Sequence, residues 1–85
     1  MTIREALAEI DEAMLMADGF DDALIGYAQR CGQPALAVYD RAKCIDLLMK
    51  DGMTHEEAEE YFEYNVVGAW VGDRTPLFLC RVEAE

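Results

Sequence analysis

Residues 39–72 read YDRAKCIDLLMKDGMTHEEAEEYFEYNVVGAWVG, and two helices are written there with their start and stop signals. Asp40 is placed to cap the first, and Ile45, Leu48 and Met49 then recur at helical spacing. Gly52 stands where a helix stops in the left-handed conformation, which costs glycine little. Thr54, with Glu57 three residues later, spells a capping box that opens the second helix. That helix is expected to bury Ala58, Tyr61, Phe62 and Asn65 and to show Glu56, Glu59, Glu60 and Glu63 to water. Only Asp51, Gly52 and Met53 lie between the two patterns, so 40–67 reads as a tight αα-hairpin.

Outward from this hairpin, the rest of the chain falls into place around it. Thr2 and Glu5 form a second capping box, and Ile3, Leu7, Ile10 and Met14 follow as an apolar stripe. This predicts an amphipathic helix over 3–17, ending near Asp18-Gly19. The run 23–30 fits either a helix capped by Asp22 or a strand weakened by Gly26. The turn signal Cys31-Gly32-Gln33-Pro34 and the short apolar run Ala35 to Tyr39 favour two strands, a β-hairpin over 23–39. Gly68, Gly72 and Pro76 mark an irregular stretch, and Leu77 to Val82 reads as a last strand. The order αββααβ predicts an α+β domain spanning 1–85: a small antiparallel or mixed three-stranded sheet packed with three helices.

Composition narrows the function classes. Eighteen acids against seven bases give a net charge of −11, a field that repels nucleic acid phosphates and anionic lipid and attracts basic protein surfaces. Many small acidic domains are acidic only to stay well solvated, which is the plainer reading. No apolar run approaches the roughly 20 residues a membrane helix needs, and the N-terminus carries acids where a secretion signal carries bases. A soluble cytoplasmic protein is expected. Cys31, Cys44 and Cys80 are odd in number and share no close spacing, so they are expected to be free thiols, mostly buried.

The phrases Cys31-Gly32-Gln33-Pro34, Val38-Tyr39-Asp40, Asp51-Gly52-Met53-Thr54, Glu56-Glu57-Ala58, Asn65-Val66-Val67-Gly68-Ala69-Trp70-Val71-Gly72 and Thr75-Pro76 occur here in that order. In these the chain resembles a family of small proteins encoded by bacteriophages and prophages, over roughly Gly19 to Leu79. No activity, cofactor or catalytic residue comes with the resemblance. It implies a setting: a phage protein acting in the cytoplasm of a bacterial host. Small acidic phage proteins often bind and block host or defence proteins, as many anti-CRISPR proteins do, and the likeness to those is one of class only.

Each candidate site has a plainer reading beside it. A Cys3His zinc site from the three cysteines and His55 lacks any CxxC pair, and His55 begins a helix where side chains point to water. There is no serine, and a Cys–His nucleophile needs an electropositive setting that this chain lacks. No nucleophile, base and orienting group can be named together, so no enzyme and no cofactor are expected. If the last strand runs back beside the hairpin, Asp21, Asp22, Asp40, Asp73, Arg74 and Trp70 share one rim able to take an ion or small molecule. Helix caps and turns explain the same aspartates more simply. Trp70 reads either as a core plug, the commoner fate in a small domain, or as a binding anchor. The leading candidate surface is Glu56, Glu59, Glu60 and Glu63 with Tyr64 and Trp70, offered to a basic host or defence protein. Glu56–Glu60 and Glu59–Glu63 are like-charge pairs one turn apart, each costing a few tenths of a kcal/mol that a basic partner would recover.

Overall fold

Thr2 and Thr54 each close a capping box in the computed structural model, which describes residues 1–69 and 72–82. Glu57 N–H donates to Thr54 Oγ1 at 3.2 Å, and Thr54 N–H donates to Glu57 Oε1 at 3.0 Å. Asp40 caps the helix before it by accepting from Ala42 N–H at 3.1 Å, and Gly52 takes φ +105°. The helices so delimited are α1 (Ile3–Ile10), α2 (Arg41–Lys50) and α3 (His55–Phe62). A single 3-10 turn, Asp21–Ala23, leads into β1 (Leu24–Ala28), which pairs antiparallel with β2 (Leu36–Asp40). The expected β-hairpin and αα-hairpin are both present, and the α+β order αββααβ holds.

β3 (Leu77–Leu79) departs from expectation. It is half the length foreseen and runs parallel to β2, with Val38 opposite Leu77 and Asp40 opposite Leu79. The chain therefore enters β3 from the Val38 side. The sheet is mixed, in the order β1-β2-β3.

The first helix also differs: α1 stops at Ile10 rather than near residue 17. Asp11 ends it. Its Oδ1 accepts from Ala13 N–H at 2.9 Å, a local bond that competes with the helix, and its Oδ2 receives Arg74 Nη1 at 2.7 Å. The arginine's hydrogen bond holds the Asp11 carboxyl below its ordinary value. Of the predicted stripe only Leu7 and Met14 are buried, while Ile3 and Ile10 are about half exposed.

α3 is prolonged by a π-helical turn, Glu63–Val67, whose extra residue per turn rotates the face that follows. Tyr61 and Asn65, expected in the core, are exposed; Val66 packs there instead. The core is centred on Tyr39, Cys44 and Phe62, all fully buried. Phe62 meets Phe20 and Phe78 edge-on, at centroid distances of 6.2 and 5.1 Å.

Tyr39 does a second job. Its hydroxyl accepts from Ala17 N–H at 2.8 Å and donates to Ala17 C=O at 3.4 Å, pinning the non-helical segment after α1 to the sheet. Tyr39→Phe leaves that amide without its partner and is expected to cost about 1–2 kcal/mol, read as a lowered urea midpoint. An unchanged midpoint would mean that water replaces the hydroxyl.

Candidate functional site

The outward face of α3 begins with charge. Glu56 and Glu60, one helical turn apart, are exposed and make no ion pair with any described residue. Two of their neighbours are partly answered. Glu59 Oε1 lies 3.5 Å from His55 Nε2, and Glu63 Oε1 receives Arg41 Nη2 at 2.9 Å. Glu63 is therefore compensated, contrary to the reading of an unanswered acid run, because α2 brings Arg41 across the helical hairpin. Arg41 also lies over the Phe62 ring, 5.6 Å from its centroid, which fixes its direction. Glu57 is committed to its capping box, whose backbone bond from Thr54 holds its carboxyl low.

Aromatic surface continues this face. Tyr64 is 79% exposed, as expected of a ring off the buried stripe, and Tyr61 is 44% exposed. Met53, Glu57, Glu60, Tyr61, Tyr64 and Asn65 line a shallow hollow of about 390 Å³. Trp70 lies outside the described residues.

Behind Tyr61 and Asn65 opens a larger cleft of about 590 Å³. One wall is the segment after α1, with Leu15, Met16 and Phe20. Leu47 and Leu48 of α2 form another, and Val66 with the Tyr61–Asn65 ridge a third. Pro76 and Phe78 also line it. Asp18 and Asp51 stand among the lining residues, and no described Lys, Arg or His does. Sequence reading missed this cleft because it carried α1 through residue 17. The signal was present: Leu15 and Met16 are apolar but fall off the α1 stripe.

The predicted aspartate rim is not assembled. Asp21 pairs with Arg4 at 2.6 Å, Asp40 with Arg81 at 3.3 Å, and Arg74 with Asp11 at 2.7 Å. Asp22 and Asp73 are exposed in turns. Since β3 is entered from the Val38 side, Asp73 and Arg74 approach the sheet away from the end that holds Asp21 and Asp40. Among the described residues, no three His, Cys, Asp or Glu side chains are placed to share a metal ion. No described helix is long and apolar enough to cross a membrane.

The cysteines also need correction. All three are free, but only Cys44 is buried; Cys31 sits in the exposed β1–β2 loop and Cys80 just past β3. Burial, with Asp40 nearby, pushes the Cys44 thiol up to about 11. Native protein is expected to react with a thiol reagent rapidly at two sites and slowly at a third. Uniform rates at all three would contradict the burial of Cys44. A raised folded value means that the stability held by the Cys44 thiol is whole below its ordinary value of 9.0 and is lost progressively as pH rises from there through about 11.

No family model, curated protein or solved structure matches this chain.

Proposed function

We propose that this chain is an interaction protein, an acidic accessory factor that binds a basic protein and modulates it by blocking its surface. The observation that carries this reading is the outer face of α3. Glu56 and Glu60 stand there a turn apart with no described cation paired to them, beside the exposed rings of Tyr61 and Tyr64. Like charges at that spacing disfavour the helix by a few tenths of a kcal/mol, while the start of α3 is secured by a closed capping box. A basic partner removes that cost, and tyrosines are common anchors at such contacts. The net charge of −11 steers the encounter. The phage resemblance supplies the setting, a bacterial cytoplasm, and makes a host or defence protein the expected target, with inhibition the expected outcome.

The competing reading, an ion or small molecule held by an aspartate rim, gains nothing from the geometry, since three of its members are committed to ion pairs. Affinity capture from a bacterial lysate with this chain as bait tests the proposal. A specific basic protein should be retained. Retention of a metabolite or metal alone would favour the rim.

A further inference from the structure

The cleft and the hollow lie side by side. Tyr61 and Asn65 line both, forming a ridge between them. The cleft behind the ridge is lined mostly by apolar residues, Leu15, Leu47, Val66 and Phe78 among them. Its volume of about 590 Å³ lies within the roughly 300–1,000 Å³ of sites that take ligands or anchor side chains. Every described charged residue lining either part is an acid: Asp18 and Asp51 at the cleft, Glu57 and Glu60 at the hollow. Asp18 lies 3.6 Å from Arg4, but its side chain is 98% exposed and Arg4 is held more closely by Asp21, so Asp18 still presents its charge to solvent.

A mostly apolar lining with acids among it and no described base selects the chemistry of its occupant. An apolar molecule satisfies the apolar lining but leaves the acids unanswered. A hydrophilic cation satisfies the acids but leaves the apolar lining wet. We infer that this groove docks an amphipathic cationic protein segment, its apolar side chains seated between the segment after α1 and the end of α3, its Lys and Arg side chains over Asp18, Asp51 and Glu60. This deepens the interaction reading above and rests on it, naming the kind of segment the basic partner contributes. A helical segment suits the shape, since apolar residues at i, i+3, i+4 and i+7 present one stripe to a groove and leave charges at its flanks.

Three synthetic peptides of about 14 residues, roughly four helical turns, test it. The first places Leu at i, i+3, i+4 and i+7 and Lys elsewhere. The second has the same composition scrambled to break the stripe. The third keeps the stripe and replaces Lys by Gln. The first is expected to bind at least tenfold more tightly than either control. Amide shifts in the wild-type NMR spectrum should centre on Leu15, Asn65 and Val66. Leu15→Lys, at a partly exposed wall position, should melt like wild type and weaken binding at least tenfold. If that variant unfolds, the wild-type shifts decide.

Equal binding of the scrambled peptide, or shifts confined to Glu56 and Glu60, would overturn the groove while leaving the acidic-surface reading intact. Equal binding of the Gln peptide would overturn the cationic requirement. Absence of binding by all three would remove the groove and count against the interaction reading as well.

Discussion

Phe62→Ala is expected to cost about 3–5 kcal/mol, the range for truncating a fully buried phenylalanine. Phe62 has no exposed surface and is the residue at which the layers meet. Its ring touches Phe20 from the segment before β1 and Phe78 from β3, and Arg41 of α2 lies over it. Removal therefore opens a cavity bounded by four parts of the chain, which cannot all close on it. A domain of this size has about 5–15 kcal/mol in total, so most of the stability can go with one side chain. At about 4–8 °C per kcal/mol for a domain this small, the melting temperature should fall by roughly 12–40 °C. Phe62→Leu, which keeps most of the volume, should lose much less. A melt that Phe62→Ala leaves within a few degrees of wild type would mean that Phe62 is not at the centre of the core.

The largest effect on function is expected from Glu56→Lys with Glu60→Lys. Both side chains are exposed, neither holds an ion pair among the described residues, and neither caps the helix. The change moves net charge from −11 by four units, to −7, and puts two cations where the partner's cations are proposed to sit. Affinity for the captured basic partner should fall at least tenfold, mainly through a slower association rate, as expected when steering charges at a contact rim are reversed. The melting temperature should change little. Glu63→Lys is a poorer probe, because it also breaks the 2.9 Å pair with Arg41 and confuses folding with binding. Asp21→Asn with Asp73→Asn should leave affinity near wild type.

The elements that carry their own punctuation were legible in the sequence. Thr2 with Glu5, Asp40, Gly52, and Thr54 with Glu57 fix helix ends through bonds between near neighbours, and local bonds can be read from spacing. The errors share a cause in distant partners. Asp11 stops α1 with help from Arg74, 63 residues away in sequence. The parallel run of β3 depends on where the chain returns after α3, which near-neighbour spacing does not encode. The cleft follows from the first of these, since it exists only because residues 14–20 leave the helix. Glu63 looked unanswered for the same reason: Arg41 reaches it across the hairpin. The exposed cysteines were misjudged from a general tendency of free thiols to be buried; Cys31 beside Gly32 in a turn and Cys80 beyond a three-residue strand had no core to enter.

Binding of a basic protein by Glu56 and Glu60 of α3 is tested by parallel affinity captures, with wild type and the Glu56→Lys, Glu60→Lys variant as baits at about 0.05 and 0.5 M salt, where the Debye length shrinks from above 10 Å to below 5 Å. A specific basic protein is expected on the wild-type bait at low salt, depleted at high salt and missing from the variant at both. A partner held equally by both baits and indifferent to salt would contradict it.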